Sequence, residues 1–348
     1  REAVVDWVQR TEGMRYSPDN VLVGPGTKEL MFLVQLVYYG DLVIPSPSWV
    51  SYAPQARIIG RHIHWLRTRP ETGLGVEPEA LEELCARDPD RPRLLILNTP
   101  SNPTGLCYDA EQLQAIAEVL RKYRVLALSD EIYSGTHFTD GHLSLARYYP
   151  EGTIISNGLS KWCGAGGWRL GFFVFPESLS WLADAMAAVA SETFTATSAP
   201  IQYAAVDALA EHPDMVTYLQ HTRQILSELA GYAYRRLSQS GAVLSPASGG
   251  FYLFPRFEGH RQSLENRGIG DAPTFCERLL DDTGVAVLPG NCFGRPAREL
   301  SLRMAIVDFD GASALRHAAD STVDEDFVRQ HCPRVTDAVD RMGAWAAS

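Results

Sequence analysis

Short apolar runs alternate with amphipathic helical patterns through most of this chain, and that alternation restricts the fold more than any other feature. The runs at residues 42–44, 94–97, 125–128, 153–155 and 170–175 are short and apolar throughout, as strands buried on both faces are. Between them lie helical stretches such as 110–122, where Leu113, Ile116, Ala117 and Leu120 fall on one side. A strand, a crossover helix and a further strand make a parallel βαβ unit. The expectation is therefore an α/β fold, a mainly parallel sheet flanked by helices.

The texture changes after a long amphipathic helix at about residues 215–238. Short strand patterns follow at 243–244, 251–254 and 285–288, and then terminal helices. This reads as a smaller α+β domain, so residues 1–225 are assigned to a large domain and 226–348 to a small one. Residues 1–9 already have a helical pattern and the first residue is Arg1, so a further segment upstream is expected. No repeat or low-complexity stretch interrupts the chain.

The formal charge of −11 disfavours a nucleic-acid partner, because phosphate backbones select basic surfaces. No apolar run approaches the ~20 residues that a membrane span needs, so no membrane partner is expected. The six cysteines form no CxxC pair and no His/Cys cluster at zinc spacing. They read as reduced thiols, which points to the cytoplasm. His62 and His64 sit two apart and would share one face if this stretch were a strand, but a metal would need a third ligand that the sequence does not supply. No metal is expected.

Three polar groups follow three of the strands. LLILNTPSNPTG (94–105) runs into a turn carrying Asn102, VLALSDEIY (125–133) delivers Asp130 and Tyr133, and TIISNGLSK (153–161) delivers Lys161. Singly, these are a turn former, a helix cap and a surface charge. Carboxyl ends of parallel strands line one crevice, however, so together they point to a shared site. Ahead of them, LVGPGTKELM (22–31) is a glycine turn opening a helix. Gly26 would let the backbone approach an anion, with the amides around Thr27 and Lys28 aimed at a phosphate.

SNPTG, SDEIY and SKWCGAGGWRLG, in this order, resemble the fold-type-I, class I/II aminotransferases, and the resemblance runs from Val21 to about Asp310. It implies pyridoxal 5′-phosphate as cofactor, a homodimer, and transfer of an amino group from an amino acid to a 2-oxo acid. By this resemblance Lys161 holds the cofactor as a Schiff base and shuttles the substrate proton. Arg169 pairs with the cofactor phosphate, and Asp130 faces the pyridine nitrogen, keeping it protonated so that the ring acts as electron sink. Tyr133 and Asn102 hydrogen-bond the ring oxygen, and Trp49, in PSWVSY, stacks on the ring. Arg303, in LSLRMAIVDFDG, forks onto the substrate α-carboxylate, near which Asn102 also lies. A lysine matching Lys28 contacts the distal carboxylate of acidic substrates in some bacterial aspartate aminotransferases, which favours an acidic donor.

Two departures stand out. Gly158 replaces a phosphate-binding serine that many relatives carry three residues before the lysine. The relatives carry an N-terminal segment, and a tyrosine that reaches the neighbouring subunit's phosphate, whose roles are assigned to no residue here because they would precede Arg1. The same lysine, aspartate and arginine also serve β-lyases, cyclopropane-forming synthases and oxidative decarboxylases or hydroxylases of this fold. A ligand-sensing regulatory domain with a separate DNA-binding module is a further alternative.

Overall fold

The structure is a computed structural model that describes residues 1–139 and 141–348. Seven strands form one sheet: β1 (Val21–Gly24), β2 (Asp41–Ser46), β3 (Ile63–Arg67), β4 (Arg93–Asn98), β5 (Leu126–Asp130), β6 (Thr153–Gly158) and β7 (Gly171–Val174). Their spatial order is β1-β7-β6-β5-β4-β2-β3. β2, β3, β4, β5 and β6 pair in parallel. Every residue of β4 and of β6 is buried, as expected of strands covered on both faces.

The α-helices as far as Gln239 are α1 (Glu2–Glu12), α2 (Thr27–Val37), α3 (Tyr52–Ile58), α4 (Pro78–Ala86), α5 (Ala110–Lys122), α6 (Ser180–Thr193), α7 (Ala199–Leu209) and α8 (Pro213–Gln239). The helices expected at residues 1–9, after the 22–26 turn, at 110–122 and at 215–238 are present as α1, α2, α5 and α8, with α3, α4, α6 and α7 in addition. In α5, Asp109 accepts from the Gln112 amide while the Gln112 side chain accepts from the Asp109 amide. This capping box satisfies two otherwise orphaned donors at the helix start. The buried face of α5 packs with Leu95 and Leu97 of β4, holding the strand that leads to Asn102.

β7 departs from the expected parallel pattern. It is antiparallel to both β6 and β1. A parallel return needs a crossover of a dozen or more residues, usually helical. The link from β6 to β7, residues 159–170, instead forms turns and one 3₁₀ turn, Gly166–Trp168. The chain doubles back directly, and that loop carries Lys161. In the C-terminal part, β8 (Tyr252–Leu253), β9 (Leu288–Pro289) and β10 (Leu302–Ala305) make a second sheet of order β8-β10-β9, antiparallel throughout. The strand expected at 243–244 reduces to one bridge between Val243 and Arg256, and the one at 285–288 shrinks to its end.

Apolar packing separates into groups. The large sheet is sandwiched by clusters built on α2 and α6, on α4 and α5, and on α1 and α7. A further cluster runs from Ile225 to Ala346 around α8, the second sheet and the terminal helices. Along α8, Met215 and Leu219 pack with the α1 group, whereas Ile225, Leu229 and Leu237 belong to the C-terminal one. Among the described residues no helix is long and apolar enough to cross a membrane.

Gly158 pairs directly with Gly171 across β6 and β7. A Cβ at Gly158 would lie 2.7 Å from the Leu170 carbonyl oxygen and 2.8 Å from the Gly171 Cα. Both neighbours are backbone and cannot swing away, so this position excludes the serine of many relatives on steric grounds. Gly158→Ser should destabilise the protein by about 1–3 kcal/mol, the usual cost of overpacking. Thermal denaturation checks this, and an unchanged melting temperature would contradict the backbone contact.

Candidate active site

The sheet brings the carboxyl ends of β4, β5 and β6 side by side, with Asn98 opposite Asp130 and Asp130 opposite Ser156. Asn98 ties the first two ends together. Its Nδ2 donates to the Asp130 carbonyl at 2.8 Å, and its Oδ1 accepts from the Asn102 amide at 2.6 Å. This fixes the turn after β4 so that Asn102 Nδ2 donates to the Tyr133 hydroxyl at 3.4 Å. From the second sheet, Arg303 Nη1 donates to Asn102 Oδ1 at 3.1 Å. The Arg303 guanidinium lies between aromatic faces, 4.3 Å from the Tyr252 ring centroid and 4.9 Å from that of Phe293.

Asp130 is 3% exposed. One carboxylate oxygen, Oδ2, accepts from the Tyr52 hydroxyl at 2.5 Å, and the other, Oδ1, is buried without a partner. Burial raises this carboxyl to about 6, against the pull of the Tyr52 hydrogen bond and of the nearby Ile132 amide, which makes no well-formed hydrogen bond to Oδ1. A buried carboxylate with one bare oxygen lacks a donor, and a cationic N–H would satisfy it best. Lys161 lies across the cavity, its Nζ 5.7 Å from the Tyr133 ring centroid and 5.6 Å from that of Phe251. Burial holds its ammonium below the usual lysine range, Arg303, Arg169 and Lys28 push the same way, and Asp130 opposes them. The lysine therefore gives up its proton to become the nucleophilic amine more readily than a free lysine does.

At the opposite wall, α2 begins at Gly26, which has φ +98° and offers no capping side chain. A Cβ there would lie 2.2 Å from Arg169 Nη2, so only glycine lets the guanidinium sit against the helix start. Gly171 faces the same seam, because its Cβ would meet the Thr27 amide nitrogen at 2.4 Å. Arg169 has φ +58° and donates from Nη1 to the Gly166 carbonyl at 2.7 Å. Unpaired helix amides and a guanidinium together make an anion cradle. Trp49 stands at the entry to α3, edge-on to Tyr52 at 5.3 Å, with Lys28 Nζ 5.1 Å from its ring centroid.

These groups enclose a cavity of about 390 Å³. Of the predicted cofactor residues, Thr27, Lys28, Trp49, Asn102, Asp130, Tyr133, Lys161 and Arg169 line it, and Gly26 backs Arg169. Arg303 joins through Asn102. Sequence reasoning missed Tyr52, Asn98 and Tyr252. For Tyr52 there was a faint signal, since it lies one helical turn beyond Trp49 in PSWVSY. His64, considered and set aside as a metal ligand, shares its Nε2 with Asp41 Oδ2 at 3.0 Å, and Asp41 also binds Arg91.

The sequence profile of "Aminotransferase class I and II" matches residues 1–313. The chain belongs to this family. Its sequence is 32% identical over 304 residues to the aspartate aminotransferase of Geobacillus stearothermophilus, covering 85% of this chain and 74% of that protein. Among solved structures it resembles the aspartate aminotransferase from Thermus thermophilus with maleate, at TM-score 0.79 and 28% identity, covering 98% of this chain and 80% of that one. It also resembles the aromatic aminotransferase from Pyrococcus horikoshii, at TM-score 0.81 and 27% identity, covering 99% and 84%. The protein is a pyridoxal-phosphate-dependent transaminase.

The residues of this aminotransferase fit that cofactor. Asp130 Oδ1 lacks the donor that a protonated pyridine nitrogen supplies. The start of α2 with Arg169 suits a phosphate, and Lys161 is a primary amine within the same cavity.

Tyr52 favours the charged form of Asp130, so Tyr52→Phe should raise the Asp130 carboxyl further and remove about 1.5–3 kcal/mol of charge-assisted hydrogen bonding. The dissociation constant for pyridoxal phosphate should then rise roughly ten- to a hundredfold. Equilibrium binding to the purified variant measures this. Unchanged affinity would mean that Asp130 keeps its charge without Tyr52.

Proposed function

We propose that this aminotransferase takes the amino group from an acidic L-amino acid and gives it to a 2-oxo acid, with each predicted residue in its assigned role. The observation that carries the reading is one cavity holding an amine at Lys161, a bare carboxylate oxygen at Asp130 and a cation at Lys28. When bound, pyridoxal phosphate supplies an electron sink for the bond broken at the substrate α-carbon and carries the amino group between the two half-reactions.

The chain's own side chains do the rest. Asp130 Oδ1 holds negative charge against the ring N–H, with Tyr52 steadying the other oxygen. Arg303, braced by the Tyr252 and Phe293 faces, orients the substrate α-carboxylate, and its buried, unpartnered Nε has hydrogen-bonding capacity to give. Asn102 bridges Arg303 and Tyr133, so that the carboxylate and the ring-oxygen contacts share one register. Lys161 Nζ, its ammonium disfavoured by burial, takes the proton from the substrate α-carbon and returns it. Trp49 covers one face of the ring and Arg169 with Gly26, Thr27 and Lys28 receives the phosphate.

Lys28 has a second task in this reading. Its ammonium lies over Trp49 and lines the cavity, placing a cation where the distal carboxylate of an acidic donor would end. Two of the similar proteins are aspartate aminotransferases, one of them solved with the dicarboxylate maleate. Residues 1–225 carry the cofactor and residues 226–348 close over the substrate. A homodimer is proposed because large apolar side chains stand exposed on the cofactor-binding part of the chain. Trp168 is 60% exposed, and Val206 and Tyr203 on α7 are 54% and 79% exposed. Six free cysteines suit the reducing cytoplasm.

Turnover of aspartate or glutamate should require an added 2-oxo acid, as a coupled assay with and without 2-oxoglutarate reads directly. Product formed without an acceptor would replace transamination with another reaction of this fold. Lys28→Met should cost about 1.5–3 kcal/mol in kcat/KM with acidic donors and spare aromatic ones. An equal loss across donors would move Lys28 to the phosphate, and a wild-type preference for tyrosine would reject the acidic donor.

A further inference from the structure

Behind the active-site turn lies a buried ionic cluster that the reaction as described does not use. Glu131 follows Asp130 directly, and successive residues at a strand end face opposite ways. Asp130 lines the cavity, whereas Glu131 points away from it and is 1% exposed. Its Oε1 accepts from Ser129 Oγ at 2.7 Å and from Ser144 Oγ at 2.5 Å. Its Oε2 lies 3.4 Å from His142 Nε2, and that nitrogen is 3.8 Å from Glu12 Oε1 on α1. Arg147 closes the set, with Nε 3.2 Å from Glu12 Oε2. Burial alone would pull His142 down, but the hydrogen bond and charge of Glu131, with Glu12, raise it above the usual imidazole range.

We infer that Glu131 is a positioning residue for transamination, its clamped carboxylate fixing the 130–134 turn that presents Asp130 and Tyr133. The inference rests on the roles proposed above for those two residues. The backbone of the turn shows how the clamp acts. The Glu131 amide donates to the Ser156 carbonyl of β6 at 2.9 Å, and its own carbonyl accepts from Asn157 Nδ2 and from the Ser134 amide, both at 2.9 Å. Asn157 Nδ2 also donates to Ser134 Oγ at 2.9 Å. The same turn is thus pinned to β6, the strand that leads to Lys161. Rotation at Glu131 would move Asp130 and Tyr133 together relative to the amine.

Support for the fold alone does not account for a charge here. Apolar side chains of similar volume often hold a buried turn as firmly, without desolvating two carboxylates. The Glu131 charge also acts on its neighbour, since it adds to burial in raising the Asp130 carboxyl. Glu131 therefore sets both where Asp130 points and how much negative charge surrounds the ring nitrogen. It lines no part of the cavity and touches no reacting atom, so it acts through Asp130 and Tyr133.

Two variants separate reach from charge in the holoenzyme. Glu131→Gln keeps the length and removes the charge, and Glu131→Asp keeps the charge and falls short of Ser144. In Glu131→Gln, kcat should drop about tenfold or more with KM changed less than about threefold. The pH midpoint of the bound cofactor's absorbance should move down by about half a unit or more, because negative charge near the ring has been lost. In Glu131→Asp the midpoint should stay near wild type while kcat falls. Should the glutamine variant not fold, Ser144→Ala, which loosens the clamp and leaves the charge, should lower kcat at an unchanged midpoint. A lowered melting temperature with kcat and midpoint both unchanged would make Glu131 structural and overturn the inference, as would a divalent metal bound one per chain in the purified protein. Asp130→Ala measured alongside separates the two readings. If it too retains full activity, the site assignment fails, and if it alone is inactive, only the role of Glu131 fails.

Discussion

The site is organised around one unsatisfied group, the Asp130 carboxylate at the end of β5. Burying a carboxylate is costly unless its oxygens are matched, and here only one is, by Tyr52. The second oxygen is buried without a partner, and the carboxyl, which lines the cavity, is raised to about 6. The surrounding structure holds this poised group in place. β4 and β6 flank it, Asn98 fixes its carbonyl, and Tyr52 arrives from a helix on the far side of β4. In the proposed role of Asp130, a protonated ring nitrogen would complete the set and couple cofactor capture to the electronics that the reaction needs.

The second constraint is steric. Gly158, Gly171 and Gly26 form a seam where β6, β7 and the start of α2 approach closer than any side chain allows. This seam lets Arg169 lie against the first turn of α2, so that a guanidinium and helix amides converge without an intervening Cβ. It also explains why the serine of many relatives is absent at position 158, since the backbone of β7 occupies its place. Charge at one end of the cavity and close backbone approach at the other would suit the two ends of one flat, phosphorylated molecule.

Much of this was legible in the sequence. β4, β5 and β6 showed because strands buried on both faces are written as unbroken apolar runs, and α5 because its apolar residues fall on one face. β1 and β3 were not identified, since β1 is four residues before a glycine-proline turn and β3 reads IHWLR, whose polar residues His64 and Arg67 break both an unbroken apolar run and a period-two alternation. The direction of β7 is not a property of its residues at all but of the helix-free link before it. Lys161, Asp130, Asn102 and Arg303 were found through motif resemblance, and the geometry brings them together. Tyr52 and the Glu131 cluster escaped because their partners lie 78 residues away for one, and 13 and 135 residues apart for the other. Such pairings exist only once the sheet has formed.

The central claim is that Lys161 is the amine that carries the cofactor. Borohydride reduction of the holoenzyme, followed by peptide mapping, tests it most directly. The account predicts one phosphopyridoxyl group per chain, on the peptide containing Lys161, with Lys28 unlabelled although it lines the same cavity. Label on Lys28, or on any lysine other than Lys161, would contradict it.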